Sequence, residues 1–194
     1  MGFNGEVLVG RGETFIAALS ELWNWEEEVY DDWPLRDGWR AVHVRTPSFG
    51  DELAEFAEAA DSPVLACLAV ESDMGHIRGI SAAGHWEAWL NPDRAAHLRA
   101  WDAVDDEIGG GLYPDGNPEN HARVNSLKAK FEAELEADRL EAARAGAAWA
   151  EQSGLYADTA TIEEILAMPW KPQAQQGFFA LLAALGIADP ESEG

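Results

Sequence analysis

The side chains best suited to acid–base or metal chemistry are five histidines spread along the chain: His43, His76, His85, His97 and His121. No two of them have a metal-binding spacing such as H-E-x-x-H, and the single cysteine, Cys67, has no ligand partner nearby. In one predicted hairpin, Asp73 and His76 share the turn while His85 and Trp86 begin the next strand. A histidine beside a carboxylate can hold a metal or transfer protons. These four residues are therefore a candidate pocket, which is the alternative to a protein-binding surface. The competing interpretation is a turn aspartate bonded to its own backbone and two surface imidazoles.

A Gly-x-Gly turn, Gly10-Arg11-Gly12, joins a predicted strand to a predicted helix, which is the context of a dinucleotide-binding loop. Phe15 stands where that pattern needs its third glycine, and Glu13 puts a negative charge where a pyrophosphate would sit. The pattern therefore favours a plain strand-to-helix turn.

Four carboxylates gather near the end of another predicted helix: Asp102, Asp105, Asp106 and Glu107. Oxygen ligands suit Mg²⁺ and Ca²⁺, but this spacing does not match a calcium-binding loop. A solvated helix end explains the cluster without a metal. The sequence thus identifies no catalytic residue, no metal site and no cofactor.

The segment 21–39 combines aromatic and acidic side chains, reading ELWNWEEEVYDDWPLRDGW with seven acids against one base, Arg36. Aromatic anchors supply large contact areas at interfaces, and acids around them attract a basic protein. The candidate partner-binding residues are Trp23, Trp25, Glu26, Glu27, Glu28, Asp31, Asp32 and Trp33. The competing interpretation is that the tryptophans cover the sheet while the acids face water.

The overall charge of the chain is also compatible with a basic protein partner. The 194 residues carry 36 Asp and Glu against 13 Lys and Arg, a formal net charge of −23. Direct nucleic-acid binding needs a basic surface, and anionic membranes also attract bases, so neither partner is expected. The acidity has three interpretations that stay open: solubility, adaptation to high salt, or recognition of a basic partner. We expect a cytoplasmic protein, because the start lacks a secretory pattern and no apolar run could span a bilayer.

These observations predict a non-catalytic interaction protein that engages a basic protein partner. It would act as an immunity-like antagonist, a regulatory binder or a nucleic-acid mimic. The alternative is a small-molecule-binding protein or enzyme with a pocket near His76, His85 and Trp86. A third hypothesis is a homo-oligomer formed through the long helix predicted over 121–152.

Apolar periodicity predicts an α+β fold with a mixed sheet and flanking helices. Residues 64–70 are nearly all apolar, as in a central strand covered on both faces. Turn residues follow twice before residue 90, so 64–90 is predicted to form an antiparallel three-stranded meander. Helices separate the earlier strands, which predicts that parallel pairs also occur.

The glycine- and proline-rich stretch 108–120 divides the chain. We predict an α/β sheet domain over 1–107, a linker or loop over 108–120, a helical segment over 121–188 and a frayed acidic tail over 189–194. Within the helical segment, Val124, Leu127, Phe131 and Leu135 recur at helical spacing and are expected to face a partner surface.

Overall fold

The computed structural model describes residues 5–22, 29–44, 52–70, 73–82, 84–109, 117–170 and 174–188. Its strands are β1 (Gly5–Arg11), β2 (Val29–Pro34), β3 (Trp39–Val44), β4 (Val64–Val70), β5 (Met74–Ser81) and β6 (Gly84–Leu90). Its helices are α1 (Gly12–Leu22), α2 (Glu52–Ala60), α3 (Pro92–Ile108), α4 (Pro118–Gln152), α5 (Thr159–Ala167) and α6 (Ala174–Ala184), with a 3₁₀ turn at Arg36–Gly38.

The six strands form one sheet in the order β2-β3-β1-β4-β5-β6, and each neighbouring pair is antiparallel. The first four strands and the two helices between them have the connectivity of a split β-α-β, ferredoxin-like unit. The hairpin of β5 and β6 extends this unit at the β4 edge.

The predicted α+β class, the meander of β4, β5 and β6 and the C-terminal helical segment are confirmed. The expectation of parallel pairs is wrong for the described strands. Each helical crossover does join two strands that run in the same direction, β1 to β2 and β3 to β4. Another strand lies between the members of each pair, so every pair of neighbours is antiparallel.

Both faces of the sheet are buried. Along β1, Val7 and Val9 contribute to a core with α4, α5 and α6, while Leu8 contributes to a second core with α1 and α2. This alternation follows from the period of two in a strand. Residues on both sides of the predicted 108–120 linker therefore share one hydrophobic core. Residues 110–116 of that stretch and the tail 189–194 lie outside the described residues.

The long helix α4 begins three residues before the predicted start at His121 and ends at Gln152 as expected. The Asn117 side chain caps it by accepting a hydrogen bond of 3.0 Å from the Glu119 N–H. Of the predicted apolar stripe, Val124 is buried, whereas Leu127, Phe131 and Leu135 are only half-buried. Deep burial moves to the C-terminal half, at Ala143, Gly146, Trp149 and Ala150. None of the helices described combines the length and apolar composition that crossing a bilayer requires.

We predict that the Cys67 thiol is unreactive in the folded protein. It lies in β4 at 3% exposure, and burial raises its pKa far above the usual range, with the nearby Glu6 carboxylate adding to the effect. Because only the thiolate reacts, labelling should require unfolding. Disulfide-exchange labelling should be slower than in denaturant by more than about a thousandfold, given an ordinary stability of at least about 5 kcal/mol. Equal rates in the two conditions would show that Cys67 is accessible.

Candidate functional site

The structure describes only part of the predicted partner-binding segment, since Trp23, Trp25, Glu26, Glu27 and Glu28 lie outside the described residues. Asp31 is exposed on the edge strand β2. Asp32 forms an ion pair with Arg40 of β3. Trp33 is half-buried and packs edge-on against Phe179, with ring centroids 5.6 Å apart. Asp31 is thus exposed, with one oxygen 4.0 Å from His43 Nδ1, while the Trp33 ring contributes to the core.

The alternative pocket is not brought together. In the β5–β6 register, His76 pairs with Trp89 and His85 pairs with Ile80. His76 and Ile80 are four residues apart, which places the two histidines roughly 13 Å from each other along the hairpin. Trp86 is buried on the opposite face of the sheet, and Asp73 forms an ion pair of 2.7 Å with Arg94.

One histidine of that set does have a carboxylate beside it. His76 Nε2 lies 2.8 Å from Glu87 Oε1, and the His76 ring stacks on Trp89 with centroids 3.9 Å apart and planes 4° apart. Hydrogen bonding from His76 is the main reason that the pKa of Glu87 is lowered, although burial acts in the opposite direction. The charge of His76, a hydrogen bond from the Trp89 side chain and the charge of Arg99 add to the lowering. Glu87 therefore stays ionised at neutral pH.

Beside this group lies a buried ion pair. Glu6 of β1 is fully buried, and its Oε1 accepts a hydrogen bond of 2.9 Å from Arg78 of β5. Glu6 and Arg78 lie on the face that α1 and α2 cover, because the registers align Leu8 with Ala66 and Ala66 with Arg78. Arg78 supplies the counter-charge that a carboxylate in this position requires.

A cavity of about 380 Å³ opens where β6, α3, α4 and α5 meet. We name it the β6 cavity. Its apolar lining comes from Ala88, Trp89, Pro92, Leu135, Ala142 and Leu166, and its charged lining from Glu87, Arg99, Glu136, Asp138 and Arg139. Two of these charges are mutually satisfied, because the Arg139 guanidinium holds Glu136 with both terminal nitrogens.

A second charged feature lies at the far end of α3, where Asp102, Asp105 and Asp106 form what we name the α3 acidic end. Burial raises the pKa of Asp102, and the charges of Asp106 and Asp105 raise it further. The last turn of α3 contains no base, and no ion pair reaches these three carboxylates from the described residues. The neighbouring Glu107 differs, because it pairs with Arg123 of α4.

An aromatic side chain stands beside this acidic end. Trp101 is half-buried, and its Nε1 donates a hydrogen bond of 2.6 Å to His97 Nε2 one turn earlier. The His121 ring of α4 lies edge-on to Trp101, with centroids 6.0 Å apart. Burial lowers the pKa of His97, with the charges of Arg94 and Lys128 adding to it, so His97 is neutral and can accept from the indole. Asp105 follows Trp101 by one helical turn on the same side.

Sequence reasoning did not single out Trp89, Arg99 and Arg139 as one site. Trp89 and Glu87 share a face by the period of two in β6, which the sequence pattern already contains. The two arginines lie 40 positions apart and meet the strand only because α3 and α4 pack together. The sequence did identify the carboxylates of the α3 acidic end. That no base lies in the same helical turn could be known only once the end of the helix was known.

The structure also gives the Gly-x-Gly turn a packing role. A Cβ at Gly10 would lie only 2.0 Å from the Phe15 ring, so the absence of a side chain lets α1 pack on β1. Gly12 has a positive φ of 80°, which suits glycine. Among the described residues, no group of three or more His, Cys, Asp or Glu side chains is arranged to hold a metal ion.

Comparison of the chain with protein-family models, with curated proteins and with the solved structures finds no match. The ferredoxin-like connectivity carries no activity by itself, because one fold hosts many functions.

We predict that Arg78→Met destabilises the protein by about 3–5 kcal/mol, because it removes the guanidinium that donates to the buried Glu6 carboxylate. The double variant Glu6→Met, Arg78→Met should recover more than half of that loss, since it removes both charges. Urea unfolding measures both changes. A loss below about 1 kcal/mol in the single variant would show that water or other groups solvate Glu6 adequately.

Proposed function

We propose that this chain is a non-catalytic interaction protein that binds a basic protein partner, with the α3 acidic end and Trp101 forming part of the contact surface. An immunity-like antagonist, a regulatory binder and a nucleic-acid mimic would all use this chemistry. The observation that carries the proposal is the charge of Asp102, Asp105 and Asp106 at the end of α3, which no base among the described residues compensates.

Three effects act against the charged state at this place. Asp102 is three residues from Asp105 and four from Asp106, so it is a neighbour of both on the helix surface and is repelled by both. They also stand at the negative end of the helix dipole, where bases are favoured. Burial adds to the cost for Asp102. A cationic partner would remove these costs on binding, which gives the site a driving force that a dispersed acidic surface lacks.

The rest of the described surface shows that the chain has bases and uses them elsewhere. Most described Lys and Arg side chains lie within 4.0 Å of a carboxylate oxygen: Arg40, Arg78, Arg94, Arg99, Arg123, Lys128, Lys130 and Arg139. Acids that no described base reaches also occur elsewhere, as at Glu55 and Glu58 of α2. The α3 acidic end is distinguished from them by the raised pKa of Asp102 and by the adjacent Trp101.

Trp101 supplies the second ingredient of an interface. The half-buried Trp101 indole offers an apolar contact with acidic side chains beside it. The sequence predicted this combination for the segment 21–39 instead. The segment around Tyr30 and Asp31, both exposed on β2, stays a predicted additional surface.

We predict opposite effects of one variant on stability and on binding. Asp102→Asn, Asp105→Asn, Asp106→Asn should raise the free energy of unfolding by about 0.5–2 kcal/mol, because it removes repulsion and an unfavourable dipole contact. The same variant should lose basic proteins that the wild type retains in affinity capture from native extract. Thermal or urea unfolding and mass spectrometry of the retained proteins give the two readouts.

A matched control separates local recognition from bulk charge. The triple variant Glu55→Gln, Glu58→Gln, Asp61→Asn also removes three negative charges, but from exposed positions in and after α2. This control should retain the same basic proteins, whereas Trp101→Ala should lose them. Equal loss in both triple variants would reduce the interaction to net charge and refute the assigned surface.

A further inference from the structure

We propose that the β6 cavity binds a free α-amino acid with an apolar side chain, held as a zwitterion. The proposal concerns a second site, independent of the α3 acidic end. It rests on three features of the lining: an apolar floor, one guanidinium with unused donors, and carboxylates with unused acceptors.

The apolar floor comes from the strand and three helices. Ala88 is buried, while Pro92, Leu135 and Ala142 are half-buried, so the cavity presents hydrocarbon to an occupant. Trp89 belongs to the same lining, and its ring is stacked on His76. A volume of about 380 Å³ is near the lower end of the range for ligand pockets, which suits a single small molecule.

Arg99 is the group that would hold the carboxylate. Its guanidinium carbon lies 4.4 Å above the Phe131 ring, so the side chain is supported from one side. The nearest carboxylate oxygen belongs to Glu134 and is 3.6 Å away, beyond hydrogen-bonding distance. Arg99 donates no hydrogen bond to any other described residue, so a ligand carboxylate could bind its planar guanidinium bidentately in place of the longer ion pair with Glu134.

The ammonium would be held by Glu87 and Asp138. Glu87 Oε1 lies 2.8 Å from His76 Nε2, and the Trp89 side chain also hydrogen-bonds this carboxylate, so the ammonium would use the acceptor positions that remain on its two oxygens. Asp138 is exposed at the rim and has no ion pair within the part of α4 described. Glu136 is excluded from this role because Arg139 already holds it.

The two signs of charge decide the class of ligand. A simple carboxylic acid could bind Arg99 but would face the negative charges of Glu87 and Asp138. A simple amine could bind those two acids but would leave Arg99 without an acceptor. An amino acid satisfies both charges within one small molecule, and its side chain can cover the apolar floor.

Isothermal titration calorimetry with L-leucine and L-phenylalanine tests the proposal, with two truncated probes of similar shape. 4-Methylpentanoate lacks the ammonium of leucine, and isopentylamine lacks its carboxylate. We expect saturable binding of at least one amino acid at millimolar concentration or below, and at least about tenfold weaker binding of both truncated probes. No saturable binding of either amino acid, or equal binding of a truncated probe, would overturn the proposal.

Arg99→Gln should weaken amino-acid binding at least about tenfold. Arg99→Lys should weaken it several-fold, because lysine keeps the charge but cannot donate two parallel hydrogen bonds to a carboxylate. Arg144→Gln is the matched control, since Arg144 is exposed on α4 and lies outside the cavity lining. Thermal unfolding of each variant shows that it is folded. Equal weakening by Arg144→Gln, or unchanged binding in both folded Arg99 variants, would overturn the assignment.

Discussion

The structure depends on one constraint, which is that the central strands of the sheet are apolar on both faces. Val7 and Val9 face one side and Leu8 faces the other, so neither side of β1 can be left to water. The crossover helices α1 and α2 cover one face as a consequence of connecting the strands. The other face needs a separate cover, which the chain supplies with α6, α5 and the C-terminal half of α4.

This cover explains why α4 is fixed at one end and extends from the sheet at the other. Trp149 Nε1 donates a hydrogen bond of 3.0 Å to the Ile80 carbonyl, and Gly146 allows the helix to approach the Trp86 ring. A helix of 35 residues is roughly 52 Å long, about twice the length of the strands. Its first half therefore extends beyond the sheet with α3, held by a small separate core of Ala100, Val104 and Val124.

Both candidate sites follow from that overhang. The β6 cavity lies where α4 passes the edge strand β6 and meets α3 and α5, so helices and strand diverge there without filling the space. The α3 acidic end lies further out, beside the small core. Neither feature belongs to the ferredoxin-like unit itself, which is why the fold of residues 5–70 gives so little guidance to function.

The sequence predicted what depends on local periodicity and failed where long-range packing decides. The apolar run 64–70 and the meander are visible because strands and turns have short signals. The order of the strands has no such local signal, since β3 lies between β1 and β2 although it follows both in the chain. The same holds for Arg99 and Arg139, whose shared cavity requires α3 and α4 to pack against β6.

The high net charge does not by itself distinguish solubility from recognition, so the proposed binding of a basic partner rests on the arrangement of the charges. At physiological ionic strength the screening length is about 8 Å, so acids dispersed over the surface interact weakly. Asp102 is three and four residues from Asp105 and Asp106, so each of these neighbours on the helix surface lies roughly 5–6 Å from it, and salt does not remove repulsion at that distance. Dispersed charges would give the same net charge at a lower cost in stability. Under the proposed function, a cation from another molecule would relieve this repulsion, so the end of α3 supports the proposal more than the net charge does.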